Sequence, residues 1–310
     1  MKVIIADIEE AYLKIRKSIR NKKKLYLFEK NYCSNCYLLI EKIEKGYFFG
    51  CYHIFTIQEK KKRLIMSSSL EDKIVNHVIC KKILLPLDKY LIDSNCATRI
   101  GRGTSYARKL LDRYLVKIKS KGDFYVLKFD FSKYFYHIDH EVLLNKLEKY
   151  LDWEDLRLIR SVLDTTNASY INEEIKRLGM DTYYQKGVSL PIGNYTSQFL
   201  AVFYLNDLDH YIKEQLRCKY YIRYMDDGII LEKDKDRLKE ILNVIEEKVK
   251  NEYLLELNAK TKIYRSSEGF TFLGVFYQVK QNKVFRRITG KTSRKLKRKG
   301  LYDYFKYEKR

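Results

Sequence analysis

The sequence predicts an α+β fold, and three changes of residue pattern carry that prediction. Leu70 to Lys89 sets Ile74, Val78, Ile83 and Leu84 near helical spacing. Phe124-Tyr125-Val126-Leu127-Lys128-Phe129-Asp130-Phe131 then switches to the aromatic and β-branched composition of a strand. Tyr221 to Met225 and Gly228 to Leu231 are two apolar runs joined at Asp226-Asp227-Gly228, which reads as an antiparallel hairpin with Asp-Gly in its turn.

The remaining elements follow the same logic. Residues 8–30 read as a basic helix and 47–58 as aromatic-rich strands. Ile100-Gly101-Arg102-Gly103 reads as a loop entering a helix, with Thr104 as its N-cap and Leu110, Leu111, Tyr114, Leu115 and Ile118 on its apolar face. Asp139 suits the cap of a helix in which Val142, Leu143, Leu147 and Leu151 share one side. Further helices are expected from near Ser197 and over about 234–250, and a last strand from Phe270 to Gln278. Two prolines and no Gly/Ser-rich stretch leave no flexible linker, so closely packed lobes are expected.

Composition narrows the partners. Sixty-two Lys and Arg against 40 Asp and Glu give a net charge of +22, which suits a polyanion such as nucleic acid. A membrane span is excluded, because the longest charge-free stretch, Gly187 to Asn206, contains Pro191, Gly193, Asn194 and Gln198. Asp7 interrupts the N-terminus too early for a secretion signal, so a cytoplasmic protein is expected. The cysteines then read as free thiols. Cys33, Cys36, Cys51 and His53 have ligand types for zinc at a spacing tighter than usual, which leaves that question open.

The chemistry concentrates on three carboxylates. Joining a nucleotide to a 3′ oxygen builds charge on the entering and leaving oxygens, which two Mg2+ ions about 3.5–4 Å apart stabilise together. Mg2+ needs hard oxygen ligands on rigid neighbouring strands. Asp130 at a strand end and Asp226-Asp227 on a hairpin provide them if the hairpin lies beside that strand; otherwise Asp226-Asp227-Gly228 is a solvated turn.

Tyr224-Met225-Asp226-Asp227 resembles the YxDD signature of reverse transcriptases, and Phe129-Asp130-Phe131-Ser132-Lys133-Tyr134-Phe135 resembles their first catalytic motif. Leu190-Pro191-Ile192-Gly193-Asn194-Tyr195-Thr196-Ser197-Gln198 is similar to a third motif, in which glycine admits close backbone approach and Thr196 or Ser197 suits a helix cap. Ile192 and Gln198, where most of the family has Gln and Pro, resemble the enzymes of diversity-generating retroelements, as does the loop Cys96 to Thr104. The resemblance covers residues about 50–280.

It implies a right-hand polymerase with fingers, an antiparallel-sheet palm and a short helical thumb. The implied division is 1–120 as N-terminal extension and fingers, 121–280 as palm and 281–310 as a short basic thumb or tail. Asp130, Asp226, Asp227 and the backbone of Phe131 would hold two Mg2+ ions, with Mn2+ a possible substitute. Arg63, in Lys60-Lys61-Lys62-Arg63, and Lys133 would meet phosphates, and Lys260 the leaving pyrophosphate. Ser132, Tyr134, Phe135, Ile192 and Gly193 would complete the nucleotide site, with Phe135 crowding a ribose 2′-OH so that DNA is made. Arg102, Gln198, Tyr224, Met225, Leu273 and Gly274 would touch nucleic acid.

The implied reaction is RNA-directed DNA synthesis from dNTPs on an RNA template and a DNA or RNA primer, by an error-prone retroelement enzyme. The short C-terminus adds an accessory protein or structured RNA as an expected partner. A reverse transcriptase of antiphage defence is the alternative within the family, and an inactive nucleic-acid-binding scaffold the alternative outside it.

Overall fold

The computed structural model describes residues 2–19, 21–58, 62–280, 283–290 and 292–294. In chain order the elements begin with helices α1 (Ile5–Arg16), α2 (Lys22–Lys30) and α3 (Tyr32–Lys45), strands β1 (His53–Gln58) and β2 (Lys62–Ser67), and helix α4 (Leu70–Ile79). Next come α5 (Thr104–Lys119), β3 (Tyr125–Phe129), α6 (His140–Glu148), α7 (Trp153–Asp164), α8 (Ser169–Arg177), α9 (Tyr195–Tyr204) and α10 (Asn206–His210). The chain ends in β4 (Tyr220–Tyr224), β5 (Asp227–Glu232), α11 (Lys235–Tyr253), β6 (Lys262–Arg265), β7 (Phe270–Phe272), β8 (Val275–Lys280) and β9 (Lys283–Ile288).

These elements form two units interleaved in sequence. One comprises Met1–Leu91, Lys133–Asp207 and Lys250–Leu255, the other Ile92–Ser132, Leu208–Val249 and Glu256–Arg310. In the first, β1 and β2 make an antiparallel ribbon whose Ile54, Leu64 and Met66 pack with Ile171 and Ile175 of α8 and with Tyr184. The apolar stripe of α4 supplies Ile74, Val75, Val78 and Ile79, all buried.

The second unit is built on a four-stranded sheet in the order β4-β5-β3-β6, with every neighbour antiparallel. One face of this sheet, through Val126, Ile222, Ile229 and Leu231, packs on Leu110, Leu111, Leu115 and Ile118 of α5. A smaller sheet, β7-β8-β9, adds Phe270, Phe272, Val275 and Tyr277 to the same core.

Several boundaries differ from the sequence expectation for identifiable reasons. The basic helix expected over 8–30 is two helices, α1 ending at Arg16 and α2 starting at Lys22, with Asn21 accepting from the Lys24 N–H as a cap. The helix from Leu70 keeps its course but changes pitch, through a π-helical Cys80–Leu84 into a 3₁₀ turn with Pro86 near its start. α5 begins at Thr104 itself, so Gly103 is the N-cap and the threonine hydroxyl does not cap. Asp139 does cap α6, accepting from the Val142 N–H at 2.9 Å. The segment expected to be a helical thumb is a strand over 283–288, and residues 295–310 with most of the basic tail lie outside the described residues.

Candidate active site

β5 lies between β4 and β3, and this order brings the three aspartates together. Phe129 pairs with Gly228 and Tyr224 with Asp227, so Asp130 emerges from β3 level with the tip of the β4–β5 hairpin. The tip is Met225-Asp226, one step before the Asp-Gly turn expected from sequence, because Asp227 and Gly228 already belong to β5. Met225 takes the left-handed conformation at φ 58°. Gly228 serves packing instead of a turn: a Cβ there would sit 2.2 Å from Cζ of the Phe129 ring.

The Asp130 and Asp226 carboxyls hydrogen-bond to one another. Burial, then the charges of Asp226 and Asp227, pushes the Asp130 carboxyl well above the usual carboxylate range, while Lys128 opposes the shift. Asp226 moves in the same direction, chiefly through burial. Both carboxyls are therefore protonated more readily than an isolated aspartate, and Oδ1 of Asp130 is buried without a hydrogen-bond partner. Asp227 is turned aside onto Lys128 of β3, Oδ1 to Nζ 3.0 Å.

The other flank of Asp130 is strapped by backbone. Its carbonyl accepts from the Asn258 N–H at 2.6 Å, the Ser132 N–H donates to the Glu256 carbonyl at 2.9 Å, and Phe131 bridges Leu257. The exposed Lys260 rides on that turn. Leu273 and Gly274 form the turn between β7 and β8, both at positive φ, with the Leu273 carbonyl accepting from Arg108 of α5. Arg102 is engaged by Asp93 at 2.8 Å and lies over the Tyr106 ring.

The other expected residues lie in the first unit. Arg63 is exposed on β2, opposite Ile57. Lys60 and Lys61 lie outside the described residues. Lys133 is exposed in the left-handed conformation at φ 44°, and the half-buried Phe135 ring stands edge-on to Tyr134, centroids 6.0 Å apart. Tyr134 is a correction: its ring is buried and its hydroxyl donates to the Ala201 carbonyl, so its side chain is not placed to touch a nucleotide.

Gly193 is needed for a reason internal to the fold. At φ 129°, a Cβ there would lie 2.4 Å from the Met66 carbonyl oxygen, and the Ile192 carbonyl accepts from the Met66 N–H at 2.7 Å. The expected caps are also reassigned, since Thr196 donates to Asn76 and Ser197 to the Pro191 carbonyl, while Asn194 is the N-cap residue. Gly193 and Gln198 share a concavity of about 250 Å³ with Lys14, Lys73, His77 and Tyr195.

Among the described residues, no group of three or more His, Cys, Asp or Glu side chains is arranged to hold a metal ion. For Cys33, Cys36, Cys51 and His53 this leaves no zinc cluster. At the hairpin it means a carboxylate pair with the third aspartate on Lys128, in place of the expected set of Asp130, Phe131, Asp226 and Asp227. The pair nonetheless fits Mg2+, which takes one or two protein carboxylates and completes its shell with phosphates and water. Its signs are a hard oxygen donor set, a buried unpartnered oxygen and a carboxyl whose charged form is disfavoured by burial and by its neighbours' charges.

A strand-end carboxylate beside a carboxylate hairpin on an antiparallel sheet defines the palm of a right-hand polymerase. The family model described as reverse transcriptase (RNA-dependent DNA polymerase) matches residues 56–277, and the chain belongs to that family. Similar solved structures include apo telomerase from Candida tropicalis truncated from the C-terminal domain, at 15% identity over 77% of this chain and 55% of that one, TM-score 0.55. Telomerase from Candida albicans in complex with a TWJ fragment of telomeric RNA matches at 14% identity over 84% of this chain and 50% of that one, TM-score 0.54. At such identities the likeness is one of fold, and the chain spans about half the length of these solved chains. No curated protein matches it.

Lys128 and Arg223 were not anticipated as site residues. Arg223, a lone charge in the apolar run Tyr220 to Met225, was the available signal. No helix among the described residues is long and apolar enough to cross a membrane.

Proposed function

We propose that this chain is an RNA-directed DNA polymerase, and that the Asp130–Asp226 pair with its unpartnered Asp130 oxygen is its metal-binding centre. That buried carboxyl pair at a hairpin tip is the observation that carries the reading, because two carboxylates are brought out of water together, a cost that protonation offsets in the metal-free chain and a divalent cation would offset in its place. Bound Mg2+ would supply Lewis-acid activation of the entering 3′ oxygen and stabilisation of the leaving pyrophosphate.

The chain's own residues set the rest. Asp130 and Asp226, deprotonated to solvent, would hold the ions, and Asp227 would join them on release from Lys128. Lys260, exposed on the turn strapped to Asp130, neutralises charge on the departing pyrophosphate. Arg63 and Lys133 present their exposed cations to the triphosphate, and Phe135 excludes the ribose 2′-OH. Arg102, Gln198, Tyr224, Met225, Leu273 and Gly274 bear on the template and primer, and Ile192 and Gly193 on the incoming base.

The subtype we favour is the error-prone enzyme of a diversity-generating retroelement, working with an accessory protein or structured RNA. Ile192 and Gln198 support it, since an aliphatic side chain in place of Gln removes a polar group that would otherwise help select the base. Primer extension on a defined RNA template with Mg2+ and dNTPs is the test. Synthesis lost in Asp226→Asn supports the polymerase reading, and absence of synthesis by the parent protein with any primer, with its RNA and protein partners supplied, refutes it. Misincorporation concentrated opposite template adenines supports the retroelement subtype, whereas accurate copying there favours a defence enzyme.

A further inference from the structure

Arg223 is the side chain in the second unit whose burial most needs explaining. It stands in β4 two residues before the hairpin tip, among Tyr220, Tyr221 and Ile222, and it is 0% exposed. A guanidinium removed from water is costly unless it is paired and fully hydrogen-bonded. Here it is paired side-on with Asp209, also 0% exposed: Nε to Oδ1 is 2.7 Å and Nη2 to Oδ2 is 2.7 Å.

Asp209 is itself held from two further sides. Its Oδ1 also accepts from the Tyr221 hydroxyl at 2.6 Å, and its Oδ2 from Asn95 Nδ2 at 3.0 Å. The backbone of Arg223 is fixed as well, donating to the Ser94 carbonyl at 3.1 Å and accepting from the Cys96 N–H at 3.0 Å. With the fork clamped in this way, Nη1 donates to the Met225 carbonyl at 2.8 Å.

That carbonyl belongs to the peptide linking Met225 to Asp226. Met225 is the left-handed tip residue, a conformation unfavourable for a non-glycine residue. The peptide is thus pinned at its oxygen by a charge-assisted bond from Arg223. Rotating this one peptide would swing the Asp226 carboxylate away from Asp130.

We infer that Arg223, clamped by Asp209, is a positioning residue for catalysis: it fixes the Met225–Asp226 peptide so that Asp226 faces Asp130 before any metal or nucleotide arrives. Stability alone does not account for the pair, because well-packed apolar residues of similar volume commonly replace a buried ion pair at no loss of stability. The inference rests on the polymerase reading above, and the parent protein's own activity separates the two: an inactive parent sinks that reading, an active parent with active variants sinks this one.

The test compares Arg223→Lys and the apolar double variant Arg223→Met/Asp209→Leu with the parent. Lysine keeps a charge opposite Asp209 but lacks the planar fork that reaches both Asp209 oxygens and the Met225 carbonyl. Both variants are expected to keep KM for dNTP within about threefold and lose kcat by about 10²-fold, the size of effect an ångström-scale misplacement produces. Thermal melts should show the Mg2+-dependent rise in Tm shifted to higher Mg2+, a readout that needs no turnover. A folded variant with the parent's kcat and Mg2+ midpoint overturns the inference, as does a loss confined to KM. If the double variant does not fold, Arg223→Lys carries the same two outcomes alone.

Discussion

Lys128 and Asp227 meet diagonally across the β3–β5 ladder at 3.0 Å, so an internal ammonium occupies the third aspartate of the candidate metal site. Lysine and a metal ion compete for one carboxylate. Lys128→Met should therefore lower the Tm of the metal-free protein slightly, by the ~0.5–1 kcal/mol typical of a partly exposed pair. It should also reduce the Mg2+ concentration at half-maximal stabilisation. A melt series across Mg2+ concentrations measures both, and an unchanged midpoint would show that Lys128 and the ion do not share Asp227.

Asp130 makes stability depend on pH in a direction unusual for a carboxylate. Its folded pKa lies above its unfolded value, so the folded chain holds a proton that the unfolded chain has released. Stability is consequently greatest at low pH on this account and falls as pH rises from about 4 to about 7, the window between the ordinary carboxyl value and the raised one. Asp130→Asn mimics the protonated acid, so it should melt higher than the parent at neutral pH without Mg2+, converge with it near pH 4, and lose DNA synthesis by roughly 10²-fold or more. Parallel melts over that range decide the point; a parent Tm that rises with pH there would sink it.

Gly228 and Phe129 form a second dependence between strands. The register opposes them directly, and the ring fills the space a side chain would need. Gly228→Ala should cost about 1–3 kcal/mol by overpacking, and adding Phe129→Leu should recover part of that loss. Denaturant unfolding of the two single variants and the double variant closes the cycle, with additive losses counting against the contact.

This pair also explains where the sequence was legible and where it was not. The strand ending at Asp130 and the two arms of the hairpin were readable because period and composition change sharply at Phe124, Tyr221 and Gly228. The turn was displaced because Asp-Gly is a turn signal in isolation, while here the missing Cβ answers a ring on the neighbouring strand. Lys128 and Asp209 gain their roles only through register and through a side chain from another element, information no local pattern holds. Gly193 was visible as a tight position, but that Met66 is what approaches it depends on the β1–β2 ribbon reaching the Ile192 turn. The helix expected over 8–30 divides between Arg16 and Lys22, where a basic run gives no sign of the Asn21 cap.

Phe135 is the residue to which we assign the choice of product, and the fold fixes its position. Its ring is half-buried against the edge of Tyr134, and its carbonyl accepts from the Leu190 N–H at 2.8 Å, so neither backbone nor side chain is loose. A fixed ring excludes by bulk, without a new attraction to the deoxyribose. Phe135→Ala should then raise kcat/KM for a ribonucleotide by about 10–100-fold while changing that for the matching deoxynucleotide much less. Single-nucleotide extension with CTP and dCTP measures the ratio. A variant that loses both substrates equally would make Phe135 a packing residue and move the discrimination elsewhere in the nucleotide site.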